Sequence, residues 1–163
     1  MIPKNYTPTQ ALRSQSEELV LLPFNTQPQA NDRFYLPMNS ELDNSLIVGI
    51  ETHSYTNILG GFPYDFPQTI QINGVSYNVI TYAELASLTI TIVDKNRRQS
   101  LCNYPAAALF NQVAPGSTTG FSTKKYTKFS LSILSGESFV TWTQNSVTAT
   151  PFVLPITFFY NEC

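Results

Sequence analysis

The sequence predicts an all-β domain, a two-sheet antiparallel β-sandwich of jelly-roll or Greek-key type with at most one or two short helical turns. Three observations lead there. Short runs of alternating apolar and polar residues recur with turn residues between them, as at Leu88–Ile92 (LTITI) and Tyr126–Leu134. Asn73-Gly74 lies between two β-rich runs, and this pair suits a type I′ hairpin because both central residues need positive φ. No amphipathic stretch is long enough for the crossover helix of a βαβ unit, which argues against a parallel α/β architecture.

Taken in order, residues 1–16 are polar, contain Pro3 and Pro8, and read as an extended N-terminal arm ahead of a single domain spanning 17–163. Glu18–Phe24 is a short apolar strand, and Arg33–Leu36 a second, stopped by Pro37. Ser45–Glu51 (SLIVGIE) is almost continuously apolar, as a strand covered on both faces would be. After a Gly/Pro/aromatic loop between Tyr55 and Gln68, the hairpin spans roughly Thr69 to Ile80.

Leu85–Val93 then alternates, with Leu88, Ile90 and Ile92 on one face and Thr89 and Thr91 on the other. Asp94-Lys95-Asn96 turns the chain into a returning strand at Arg98–Cys102. Ala106–Gln112 has helix propensity but is too short to stand alone, so one or two turns packed over the sandwich end are expected. Beyond a loop at Ala114–Thr123, Phe129, Leu131 and Ile133 face one way, Ser135-Gly136-Glu137 turns, and Phe139–Trp142 follows. The last strand, Pro151–Tyr160, carries Phe152, Leu154, Ile156 and Phe158 on one face and Val153 and Phe159 on the other, so cover on both sides is expected for part of its length. Pro155 within it points to an edge position or a bulge.

Composition narrows the function classes. Of 163 residues 42% are hydrophobic and only 12% charged, about half the usual charged share. That argues against disorder and fits an uncharged polar surface partly covered by partners. A net charge of −2 gives no footprint for nucleic acid. The basic clusters, Arg97-Arg98 and Lys124, Lys125 and Lys128, read as solvated turns or strand ends. No apolar run approaches the ~20 residues of a membrane-spanning helix. The N-terminus lacks the apolar core of a secretory signal, so action in the compartment of synthesis, or exit within an assembly or by lysis, is expected.

Candidate chemistry is sparse. Cys102 and Cys163 lack metal-ligand spacing and read as free thiols, with an intermolecular bridge the alternative. The single histidine, His53, has no triad or metal signature around it. Asp65, Glu84, Glu51 and Asp94 could pair as carboxylates for glycoside hydrolysis, but any chain with eleven acids offers such pairs. Gly60-Gly61 lacks the lysine and helix of a phosphate loop, and Asn5-Tyr6-Thr7 fits the glycosylation triplet. No catalytic residue, cofactor or metal is therefore assigned.

What remains is aromatic. Tyr55, Phe62, Tyr64 and Phe66 surround a loop stiffened by Pro63 and Pro67, and Tyr6 lies on the arm. A rigid loop presenting aromatics loses little entropy on binding, so these five form the candidate interface. The same rings could instead cap the open end of the sandwich, or stack on a sugar. Trp142, between Val140 and Thr143, reads as core.

The order of features resembles small virion proteins of bacteriophages, especially those infecting Bacteroidetes. It is carried by the polar arm, the segment DRFYLPMNSELDNSLIVGIETHSY, a variable loop, the strand Leu88–Ile92, the turn NYPAAALFNQ and a closing strand pair rich in Phe and Trp. The resemblance covers residues 30–160 and is one of pattern and composition. It implies a jelly-roll or sandwich subunit serving as a minor, auxiliary or cement component of the capsid, without enzymatic activity. The expected partners are the major capsid protein or neighbouring copies, with a homo-oligomer formed through the arm and end loops. Neither nucleic acid nor membrane is expected as a partner, and the expected location is the virion, made in the host cytoplasm. The rival is a carbohydrate-binding or host-adhesion module using Tyr64 or Trp142 as a stacking platform.

Overall fold

A computed structural model describes residues 15–55, 67–110, 127–145 and 150–162. Among these residues ten strands form two packed sheets: β1 (Gln15–Phe24), β2 (Arg33–Tyr35), β3 (Ser45–Thr52), β4 (Thr69–Ile72), β5 (Val75–Val79), β6 (Leu88–Val93), β7 (Gln99–Pro105), β8 (Thr127–Leu131), β9 (Phe139–Trp142) and β10 (Phe152–Glu162). In the first sheet β10 pairs with β1 on one edge and with β5 and β3 on the other, and β8 and β4 lie outside. The second sheet has the order β2-β9-β6-β7. With the β4–β5 hairpin set aside, β1-β10-β3-β8 faces β2-β9-β6-β7, with every neighbouring pair antiparallel. This alternation of the chain between two four-stranded sheets is the jelly-roll arrangement. The parallel exception is the two-residue contact of β5 with Phe152 and Val153.

The hairpin has the expected turn: Asn73 and Gly74 have φ of 52° and 83°, and Thr69–Ile72 pairs with Val75–Asn78. Among the described residues helical structure is limited to α1 (Ser40–Asp43), α2 (Tyr82–Leu85) and two 3-10 turns, Ala106–Leu109 and Ser135–Glu137. Asn39 starts α1 by accepting from the N–H groups of Glu41 and Leu42. The Ala106–Leu109 turn buries Ala106 and Leu109, and the Thr52 hydroxyl donates to the Ala106 carbonyl at 2.8 Å, fastening it to the end of β3. Cover on both faces of β3 holds only from Gly49 onward, since Leu46 is exposed.

Four aromatic rings tie the sheets together. Phe24 of β1 stacks on Phe152 of β10, centroids 4.8 Å apart, and meets Phe34 of β2 and Trp142 of β9 edge-on at 4.6 and 5.7 Å. Phe24, Trp142 and Phe152 are fully buried, so Trp142 is core, as its position in the sequence indicates. Edge-to-face and stacked contacts of this kind add to area burial.

β10 is buried on both faces from Phe152 to Tyr160. Pro155, however, lies neither at an edge nor at a bulge, for β10 is central and its register shift falls at Phe159/Tyr160. Its carbonyl accepts from the His53 N–H at 3.1 Å. The N and C=O of one strand residue face the same edge, so its missing N–H faces the gap between the last residue paired with β5, Val153, and the first paired with β3, Ile156. No ladder bond to β1 is lost.

Replacing Phe24 with alanine is expected to destabilise the fold by about 3–5 kcal/mol, read as a lower urea midpoint at unchanged slope. At Gly74 a Cβ would meet nothing within 4 Å, so Gly74→Ala should cost only the left-handed backbone term, about 1–2 kcal/mol in the same assay.

Candidate functional site

Of the five residues of the candidate interface, Tyr55 lies within the described structure, and Tyr6, Phe62, Tyr64 and Phe66 lie outside it. Tyr55 is half-buried. Its N–H donates to the Ile80 carbonyl at 2.7 Å, and its side chain packs with Tyr77, Val79 and Val153 in a small cluster separate from the main core. The partly buried Leu21, Ile70 and Ile72 pack against the same cluster.

Two of the four acids considered for catalysis, Glu84 and Asp94, serve local structure. Glu84 accepts from the Thr81 hydroxyl and N–H at 2.7 and 3.0 Å, closing the turn at the start of α2. Asp94 accepts from the N–H groups of Asn96 and Arg98 in the β6–β7 turn. Glu51 is buried 3.6 Å from His53 Nε2, and Asp65 lies outside the described residues. Among the described residues no three His, Cys, Asp or Glu side chains gather as metal ligands, and no helix is long and apolar enough to cross a membrane. Cys102 is an exposed free thiol, and Arg97 donates to Glu137 at 2.6 Å on the surface.

His53 follows β3, where its Nε2 lies 2.7 Å from the Thr157 hydroxyl of β10. Burial pushes its pKa from 6.5 down to about 4, because the imidazolium would lose its hydration there.

The outer face of the second sheet carries a feature that the sequence reading missed. Side chains of all four strands enclose a cleft of about 230 Å³. Its floor comes from the two central strands: Phe139 and Thr141 on β9 and Thr91 on β6, with Phe139 opposite Thr91 in the ladder. Phe139 and Thr91 are buried. One rim carries Arg33, on edge strand β2, and Asn31 just before it, and the other carries Gln99 and Asn103 on edge strand β7. The Arg33 guanidinium carbon lies 4.4 Å from the Phe139 ring centroid, a cation–π contact, and Tyr35 meets the same ring edge-on at 5.4 Å.

The chain matches no protein-family model, no curated protein and no solved structure.

Two details shape the cleft. Between the pairs Ile90↔Tyr104 and Ile92↔Leu101, Thr91 stands opposite both Cys102 and Asn103, a β-bulge. The bulge puts Asn103 at φ 48°, and its N–H donates to Thr91 Oγ1 at 3.2 Å, so a buried threonine satisfies the backbone that the bulge frees. Asn31 is likewise at φ 72°, with its N–H on the Trp142 carbonyl at 2.7 Å. Thus two of the four non-glycine residues with positive φ among the described residues line this cleft. One signal was available in the sequence: Phe139 places a large ring on the face opposite Val140 and Trp142.

His53 makes stability pH-dependent. Its folded pKa is depressed, so between about 6.5 and about 4 the unfolded chain binds the extra proton and stability falls as pH falls. At ~1.4 kcal/mol per unit the loss is about 2–3 kcal/mol. In urea titrations across that window, His53→Gln should lose less stability than the wild type by about that amount.

Proposed function

We propose that the chain is a non-enzymatic structural subunit of a bacteriophage virion, a minor, auxiliary or cement component that assembles with copies of itself or with the major capsid protein. The observation that carries this reading is the strand order. A four-plus-four jelly roll is an architecture of viral capsid domains, although the same fold also serves lectins and cupins and does not by itself specify an activity. The low share of charged residues and the resemblance of the feature order support it further.

In this reading the N-terminal segment lies on a neighbouring subunit as an extended arm, and contacts that close into a ring limit the assembly. Since Gln15 and Ser16 pair with Asn161 and Tyr160, the segment free for that role is residues 1–14. The cleft on the second sheet favours a second reading, a carbohydrate-binding or host-adhesion module. It would use a surface other than Trp142, which is buried.

The test is the mass in solution by light scattering, for the full chain and for a chain lacking residues 1–14. A discrete closed oligomer that dissociates on truncation is expected. A full chain that stays monomeric at high concentration, unchanged by truncation, would count against assembly through the arm.

A further inference from the structure

We propose that the cleft across β2-β9-β6-β7 binds an acidic monosaccharide, a hydroxyl-rich ring bearing one carboxylate. The inference does not depend on the shell reading, because ligand binding and oligomeric mass are separate properties and either can fail alone.

The shape comes first. Rims on the two edge strands stand three inter-strand spacings apart, ~14 Å, above a floor of Phe139, Thr91 and Thr141. At about 230 Å³ the cleft lies below the ~300–1,000 Å³ of sites for drug-sized ligands. One ring-sized unit suits it better than an extended chain.

The chemistry is uneven in a telling way. Asn31, Gln99 and Asn103 offer amide donors and acceptors, and Thr141 a hydroxyl. These groups match a ligand that displays hydroxyls in several directions. Arg33 is the one charged residue in the lining, and among the described residues its guanidinium has no carboxylate partner. Its contact with Phe139 fixes where the cation stands, and a guanidinium recognises a planar carboxylate through paired N–H donors. A phosphate fits less well, since it carries about two charges against one cation.

The rim is also built rather than incidental. Asn103 is aimed by a bulge that costs ladder pairing and left-handed backbone, both secured by the buried Thr91 hydroxyl. Bulges that re-aim a side chain and residues held at positive φ are concentrated at functional sites.

The experiment is an NMR titration of the full chain with sodium glucuronate, with glucose, glucose phosphate and acetate as comparators. Expected is saturable binding in the millimolar range that shifts the amides of Arg33, Thr91, Asn103 and Thr141. Glucose and acetate should each bind at least about tenfold more weakly, the scale of one charge-assisted contact. Arg33→Gln should weaken glucuronate binding by about tenfold or more, and Gln99→Ala by a few-fold, each with Tm close to wild type. Absence of saturable shifts, equal binding of glucose or acetate, tighter binding of glucose phosphate, or full affinity in Arg33→Gln would each overturn the proposal. Should Arg33→Gln fail to fold, unchanged affinity in Gln99→Ala would overturn it, and a few-fold loss would uphold it.

Discussion

Strand β10 carries ladder hydrogen bonds along both edges and packed side chains on both faces, and it is buried from Phe152 to Tyr160. Along one edge it meets the whole of β1, and along the other it meets first β5 and then β3. Its inward ring, Phe152, stacks on Phe24 and meets Trp142, which joins the sheet centred on β10 to the sheet that bears the cleft. On the outward side Val153 supports Tyr77, Val79 and Tyr55, and Thr157 receives His53. A buried central strand must find a partner for every backbone polar group. Pro155 is accepted there because its missing N–H falls where the neighbouring strand changes.

The second sheet divides its labour between faces. Inward, Leu88, Ile90, Val140 and Trp142 belong to the core. Outward, the same strands present Thr91, Thr141 and Phe139, and the edge strands rise on either side of them. The core face specifies the register, because a slip of one residue would carry its apolar set to the surface. Beyond the buried Phe139 and Thr91, the outer face is therefore free to vary its side chains without changing the register. The bulge in β7 belongs to this freedom: it alters the direction of Asn103 while Leu101 and Tyr104 still pack against the core.

Much of the sandwich was legible because its signals are local. The alternation of Leu88, Ile90 and Ile92 with threonines marks a strand with an apolar core face, and Asn73-Gly74 marks the turn between β4 and β5 by backbone chemistry alone. α1 was missed because a four-residue helix shows no periodicity, and its one sign is the capping side chain of Asn39. Pro155 was misread because the local rule assigns proline to edges, whereas the gap that accommodates it depends on strands distant in sequence. The bulge in β7 exists only relative to β6, so no reading of Gln99–Pro105 alone could place it. The cleft was hidden for the same reason, since residues from Asn31 to Thr141 meet only after both β2 and β9 have docked.

The pairing of β1 with β10 has a consequence for how the molecule comes into being. The strand that holds the first sheet together is synthesised after all its partners, so β1 and β3 emerge with their central edges unmatched. Contacts between residues so far apart in the chain close slowly, and unpaired strand edges are where stray association begins. With few charged residues to repel neighbours, the nascent chain depends on the prompt arrival of β10, and its most hazardous interval is the one just before that strand leaves the ribosome.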